Sequence, residues 1–370
     1  MARSTEVLVI GAGPAGIASA IAARLKGFEV AVADFRRPPV EKACGEGLLP
    51  EGVEALRRLG VHFTSADSQP FYGLCFRDNL TSVSAFFPEG HAFGVRRTIL
   101  NRLLLARAEE VGVKFHWGSR LTHLSGHTAR LNDELFRFRW LVGADGFNSQ
   151  VRKLAGFNAF AWYQTSRLGF RRHFAAPAWS QMAEMFWGDG YQIVVTPTAV
   201  NEICLSLFTS HAGMRIADAV ASFPELASRL RGVAPTDAEL GCITSLRNSK
   251  IAARGHIALV GDASCTVDGI AGIGLTLAVR QAHPLAEALS SGDLSTYAAA
   301  HHRITQNARR MTGLLLLMSR RPWLRERVFR LFSSRPNVFA RMTALHSGPR
   351  PGQSLGVREV LQLTLDLIGA

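Results

Sequence analysis

The feature that most constrains this chain is its start, TEVLVIGAGPAGIASAIAARLKGFEVAVAD, residues 5 to 34. Val7 to Ile10 is an unbroken apolar run, as expected of a strand buried on both faces. It runs into Gly11, Gly13 and Gly16 in the spacing GxGxxG, then into an alanine-rich helix that Pro14 and Ala15 open. A second strand ends in Asp34, 18 residues after Gly16, with Phe35 next. Each position has a physical reason. Gly11 allows the tight turn, Gly13 lets the backbone approach a pyrophosphate, and Gly16 lets helix and strand pack closely. The helix start offers free N–H groups and positive dipole character to the phosphates, and Asp34 accepts from ribose hydroxyls. A carboxylate there disfavours a 2′-phosphate, so NADP is not expected in this site. The reading is a dinucleotide site on a Rossmann-type α/β domain.

Charge agrees with an anionic partner. Lys and Arg number 42 against 29 Asp and Glu, a formal +13 with an isoelectric point near 10.4. Such a surplus attracts dinucleotide phosphates, anionic lipid, nucleic acid or an acidic substrate. No basic-aromatic module of a nucleic-acid-binding type is present, so no nucleic acid is expected. Cys44, Cys75, Cys204, Cys242 and Cys265 form no CxxC pair and are odd in number. They fit a reducing compartment better than a disulfide or zinc framework, and no metal is expected. A strand starting almost at the first residue leaves no room for a signal peptide, and GLLLLM is too short to span a bilayer. The expectation is a cytoplasmic setting, free or peripheral to a membrane.

Two distant segments extend the dinucleotide reading. RWLVGADGFNSQVRK is a strand leading to Gly143, Asp145 and Gly146. HIALVGDASCTVDGIAGIGLTLAVRQA is a strand, then Gly261 and Asp262, then a loop with Gly269, Gly272 and Gly274 opening a helix. With GxGxxG, this order and spacing over roughly residues 5 to 290 resembles the FAD-dependent monooxygenase superfamily with the aromatic-hydroxylase fold. That superfamily includes geranylgeranyl-reductase-like and flavin-halogenase-like branches. The resemblance implies FAD as cofactor and NAD(P)H as a transient reductant without a Rossmann domain of its own. It implies that Asp145 lies near the pyrophosphate and that Asp262 accepts from the ribityl chain. Backbone N–H groups around Gly272, Ile273 and Gly274 would face the flavin N1/C2=O edge, where a helix start stabilises negative charge. Arg97 in VRRTILNRLLL matches the family's cofactor-contacting arginine, with Asn101 in place of the usual acid.

The resemblance also places KACGEGLLP, residues 42 to 50, in a loop beside the flavin. Gly45 and Gly47 would be positions of close approach, Glu46 would anchor the turn or orient a pocket group, and Cys44 would be the one candidate catalytic side chain. Between the motifs, alternating stretches predict an antiparallel sheet with turns at Asp189–Gly190 and Pro197. In the family such a sheet covers the flavin, and Phe170, Phe186, Trp187 and Tyr191 are candidates to line its pocket. The expected organisation is an FAD-binding domain (1–69, 97–158 and 249–312) interleaved with a substrate-binding β-sheet domain (70–96 and 159–248). A C-terminal helical region (313–370) follows. From Leu314 onward it reads as short amphipathic, arginine-rich helices broken at Pro322 and Pro336, packed on the flavin domain or presenting a basic apolar surface to a membrane.

The branches are separated by mixed signals. YQIVVTP lacks the tryptophan that reductases and halogenases carry before this proline, which speaks against halogenation and weakens prenyl reduction. CGEGL and VDGIAGIG look more like those two branches, yet Gly269 and Ile273 stand where they usually have proline and glutamate. The leading expectation is an FAD-dependent monooxygenase using NAD(P)H and O2 to hydroxylate a hydrophobic, aromatic or polyketide-like small molecule. The runner-up is a flavin-dependent reductase of carbon–carbon double bonds, with Cys44 as proton relay. A non-catalytic FAD-binding or membrane-associated protein is the reading from another class.

Overall fold

In the computed structural model, which describes residues 3–157, 160–161, 166–249 and 251–348, the chain builds two large sheets. The strand Arg3–Ile10 lies inside the first, parallel to Val30–Asp34 on one side and Glu134–Gly143 on the other. Lys114–Trp117 and Ile257–Leu259 extend the parallel order outward. Successive side chains of a strand point to opposite faces. Val7, Val9, Val30 and Val32 therefore enter the core beneath the helix Pro14–Leu25, while Leu8, Ile10, Ala31 and Ala33 enter the core on the other face. That is why this strand is apolar at every position from Val7 to Ile10.

The glycines of the first turn divide by role. A Cβ at Gly16 would fall 1.9 Å from the Gly11 carbonyl oxygen, so helix and strand can pack only because it is missing. Gly11 has φ +109° and would press a Cβ to 2.4 Å from the Ala144 carbonyl oxygen. A Cβ at Gly13 meets nothing closer than Arg97 Nη2 at 4.0 Å. The fold does not require that third absence.

The second sheet has seven strands, in the order Leu240–Ser245, Ser166–Phe174, Glu202–Thr209, Tyr191–Ala199, Ala183–Trp187, Gly73–Arg77, Ser82–Phe86. All neighbours are antiparallel except Ala183–Trp187 with Gly73–Arg77. Gly190, at φ +74°, makes the turn expected at Asp189–Gly190. Pro197 does not make a turn. It sits inside its strand at a register irregularity, and the chain turns at Val200 and Asn201.

One face of this sheet packs on the short helices Ile216–Ala221 and Pro224–Arg229, the other on Leu294–Arg320, Pro322–Ser334 and Pro336–Ser347. The last three break at the two prolines, since a proline can open a helix but not continue one. Phe329, Phe332 and Phe339 are buried against the sheet core. Such burial contributes about 2–3 kcal/mol per side chain. The apolar sides of the described helices thus face mainly inward, with Leu317 and Trp323 the large apolar side chains left exposed, and they give no structural basis for membrane contact. Among the described residues no helix is long and apolar enough to cross a membrane. The expected region beyond residue 348 lies outside the described residues.

Candidate active site

A groove with about 1700 Å³ of empty space opens at the carboxyl ends of the parallel strands, where open α/β sheets bind ligands. Gly11, Gly13, Pro14, Ala15, Asp34, Phe35, Arg97, Asp145, Gly146, Gly261, Asp262 and Gly274 all line it, although they come from five separate stretches of sequence. The helix Pro14–Leu25 starts here with no side-chain cap and no acid in its first turn, leaving its N–H groups to an anion. At the end of the second strand Asp34 is held in place from both sides. Its Oδ2 accepts from the Ala12 N–H at 2.7 Å, and its Oδ1 from the Arg36 N–H at 2.8 Å. Phe35 lies between the guanidinium groups of Arg36 and Arg120, each 5.1 Å from its ring centroid.

Some acids behave differently from the sequence expectation. Asp145 lines the groove, but its carboxylate caps the helix Gln150–Leu154, accepting from the Ser149 hydroxyl and from the N–H groups of Gln150 and Val151. Burial nevertheless holds this carboxyl above the usual aspartate range. Asp262 pairs with Lys42 at 3.2 Å. Lys42, Arg120 and Asn148 also line the groove; Lys42 and Asn148 lie inside the quoted motifs without a role assigned to them there, and Arg120 lies in no motif.

A second cavity, partly open to solvent, lies between the seven-stranded sheet and the last three helices. Its wall is apolar: Leu49, Phe71, Phe76, Met185, Val194 and Phe208 on the sheet side, Met311, Leu315, Phe332, Phe339 and Met342 on the helix side. The four aromatics expected here, Phe170, Phe186, Trp187 and Tyr191, do not line it. Phe170, Phe186 and Tyr191 point to the opposite face of the sheet. Trp187 shares the inner face but packs on Phe76 and Phe329 beyond the cavity. Strand alternation decides this: Met185 and Val194 face inward, so Phe186 and Ile193 face outward. His346 donates from Nε2 to the Ala271 carbonyl at 2.8 Å, tying the last described helix to the glycine loop.

Groove and cavity meet at two thin pieces of backbone. In the turn, Cys44 lines the groove while Gly45 and Gly47 line the cavity. In the loop, Gly274 lines the groove and Gly269 and Gly272 the cavity. Cys44 is half-buried, and burial pushes its thiol pKa up against the opposing pull of Arg97. Two residues of these stretches keep their side chains out of the groove. The Ile273 side chain is buried in the core. Glu46 is turned away, 1% exposed, with Oε2 at 2.6 Å from His173 Nε2 and Oε1 accepting from the Arg97 N–H at 3.1 Å. It anchors the turn from behind.

The groove suits a dinucleotide whose ring end reaches the apolar cavity. A Cβ at Gly146 or Gly274 would stand in open space, and one at Gly13 nearly so. Gly146, at φ +76°, also serves its own backbone turn, but the absences at Gly13 and Gly274 serve nothing in the protein itself, and together the three form a cradle that side chains would fill. Fold and site together define a dinucleotide-binding enzyme of the flavoprotein hydroxylase type.

Comparison with known proteins agrees. Residues 4–204 match the FAD binding domain family, more than half of the chain, and the protein belongs to that family. It is an FAD-dependent oxidoreductase of the monooxygenase superfamily. The menaquinone reductase of Mycolicibacterium smegmatis is 25% identical over 358 residues, 86% of each chain. A rifampicin monooxygenase of Rhodococcus hoagii is 28% identical over 171 residues, 44% of this chain and 36% of that one. A flavoprotein/dehydrogenase of Cytophaga hutchinsonii shares the fold with a TM-score of 0.84 at 18% identity, covering 99% of this chain and 98% of that one.

Proposed function

We propose that the protein is an FAD-dependent monooxygenase that inserts an oxygen atom from O2 into a neutral, hydrophobic, aromatic or polyketide-like molecule, with NAD(P)H as the source of electrons. The observation that carries this reading is the apolar cavity meeting the cofactor groove across Gly45, Gly47 and Gly272. Among the described residues no lysine or arginine lines that cavity, and the one carboxylate in its wall, Glu184, is already paired with Arg77 at 3.3 Å and bonded by Trp179 Nε1 at 3.0 Å. A carboxylate substrate would enter unpaired, which burial penalises heavily. A neutral one loses little.

The chain's own residues bind and orient. The uncapped helix start and Arg97 hold the phosphates, Asp34 the ribose, and the loop around Gly272 and Gly274 offers backbone N–H groups at the ring end. Bound FAD would accept a hydride from NAD(P)H and pass its two electrons on to O2. The sheet and the last three helices wall the cavity with apolar side chains, and a neutral molecule filling it would displace water from the site.

A second reading is supported by a specific observation. Cys44 lines the groove, and the relative aligned over 86% of its length is named a reductase. Reduction of a carbon–carbon double bond would use a thiol there as proton donor. Purified protein, loaded with FAD and screened for compounds that accelerate NAD(P)H consumption, separates the two. Monooxygenation gives an O2-dependent product heavier by one oxygen, undiminished in Cys44→Ser. A product two hydrogens heavier, formed without O2 and lost in Cys44→Ser, would establish the reductase instead.

A further inference from the structure

Glu46 is one of two described residues other than glycine with a positive φ, here +59°, a backbone shape that strains any side chain. It stands between Cys44, which lines the groove, and Gly47, which lines the cavity, yet its own side chain is buried behind the turn. Three contacts hold it there. Its carbonyl accepts from the Val95 N–H at 3.0 Å, its Oε1 from the Arg97 N–H at 3.1 Å, and its Oε2 lies 2.6 Å from His173 Nε2. Arg97 lines the groove as well, so a single carboxylate is tied to two separate pieces of the groove wall.

We propose that His173 is a positioning residue for the cofactor site: its charged ring, held between Glu46 and Asp237, keeps the turn from Cys44 to Gly47 and the start of the helix Arg97–Glu110 in the arrangement that receives FAD. The proposal rests on the flavin reading of the groove. His173 lies on the strand Ser166–Phe174, is 1% exposed, and lines neither groove nor cavity. Its Nδ1 is 2.6 Å from Asp237 Oδ2, and its backbone N–H donates to Asp237 Oδ1 at 2.9 Å, which fixes the ring from the far side. A ring nitrogen and a carboxylate oxygen approach to 2.6 Å only with a proton between them. Both ring nitrogens make that approach, so the ring is an imidazolium and each carboxylate has a donor. The ring acts as a fixed charge, and no proton leaves it in this role.

Charged groups face this ring from every neighbouring element. Arg171, on the same strand, donates to Asp237 and to Glu41, and its Nη1 is 3.1 Å from His173 Nδ1. Arg96, before the helix Arg97–Glu110, opposes charge on the ring and is itself paired with Glu202 on the adjacent strand, Nε to Oε1 at 2.8 Å. Cys204, also on that strand, has its thiol within 4.8 Å of the Glu46 and His173 donor atoms, and burial keeps it protonated, so it adds no charge. Burial works against charge on His173, but the bonds to Glu46 and Asp237 outweigh it and hold the ring above the ordinary histidine range. A turn that swung away would take one carboxylate from the ring and weaken its grip on the proton. Protonation and the closed turn therefore favour each other. The hold is complete below the ordinary histidine range and is lost as pH rises through the raised value.

Two measurements test this role. The first needs no cofactor. In deuterium exchange at pH 6, read by peptide mass, the amides of residues 44 to 47 should exchange about tenfold or more faster in His173→Gln than in wild type, as befits a lost charge-assisted hydrogen bond. Those of the core strand Arg3–Ile10 should stay within about twofold. Equal exchange of the turn in both proteins overturns the proposal. If the core strand opens too, the wild type alone decides: corrected for the intrinsic pH dependence of exchange, its turn should open more readily at pH 9 than at pH 6, and an unchanged turn overturns the proposal. The second measurement is FAD affinity by flavin-fluorescence titration. It should fall about tenfold or more in His173→Gln at pH 6. Wild-type affinity should fall between pH 7 and pH 9 while that of the variant stays flat, a difference that a general loss of stability would not produce. Glu46→Gly, whose backbone is at ease at φ +59°, should lose the same tenfold. A pH-independent wild-type affinity, or wild-type affinity in Glu46→Gly, would show that backbone shape alone serves and would sink the proposal. Wild-type protein that binds no FAD sinks the flavin reading, while exchange at the turn still reports on the hold of His173.

Discussion

At the scale of single residues, the glycines of the first turn separate what the fold needs from what the ligand needs. Gly16→Ala places a methyl 1.9 Å from a backbone oxygen that cannot yield. It should cost about 3 kcal/mol or more and show as loss of cooperative unfolding at ordinary temperatures. Gly13→Ala meets only the end of Arg97 at 4.0 Å, and its backbone, φ −77° and ψ 174°, suits alanine. Its stability should change by no more than about 1 kcal/mol. The methyl would stand where a pyrophosphate must approach, so FAD affinity should fall about tenfold or more, one well-placed clash being worth 1–3 kcal/mol. Thermal melts and flavin-fluorescence titration read the two effects separately, and a Gly13→Ala variant with unchanged affinity would remove the phosphate from this turn. Residues of this kind were legible because their spacing encodes a backbone demand. His173 was not: it lies 127 residues from Glu46 in an ordinary strand, and only the folded chain brings the two together.

At the scale of elements, helix limits set by prolines could be read directly, while the surface each helix covers could not. The helix Leu294–Arg320 reaches back to the Gly261–Asp262 turn through His301, which is buried. Ser264 donates its hydroxyl to the Gly261 carbonyl at 2.9 Å and accepts from His301 Nε2 at 2.9 Å. Burial, reinforced by the nearby Arg309, pushes the His301 pKa down to about 4 from an ordinary 6.5. The folded state thus binds fewer protons than the unfolded chain between those values. The contribution is present above pH 6.5 and is lost as pH falls toward 4, about 2–3 kcal/mol in all. Urea unfolding at pH 7 and pH 4.5 should show that loss, and His301→Gln should show a shallower pH dependence across the same window. An unchanged pH dependence in His301→Gln would mean the ring is already charged in the native state.

At the scale of the whole molecule, net charge and site chemistry point in different directions, and the contrast identifies what each is for. A formal +13 favours anions everywhere on the surface, and the phosphates of a dinucleotide benefit from that field. The apolar cavity lies between the seven-stranded sheet and three helices, with no cation in its wall among the described residues. Composition alone left an acidic substrate open, and the apolar wall argues for a neutral one. 2-Naphthol and 2-naphthoate share a ring system and differ in charge, so they separate surface attraction from cavity binding. Naphthol should perturb the absorption of bound flavin, with an affinity at least about tenfold above that of naphthoate, since a buried unpaired carboxylate loses more than 1.4 kcal/mol. Raising the salt should leave naphthol binding unchanged, because no surface charge takes part. Met342 stands in the helix wall of the cavity, partly buried, so Met342→Trp should fill space there while leaving the groove and its FAD content intact. Naphthol binding should then fall about tenfold or more, the ordinary penalty of overpacking. Equal affinity for the two probes, or full naphthol binding in Met342→Trp, would move the substrate out of this cavity.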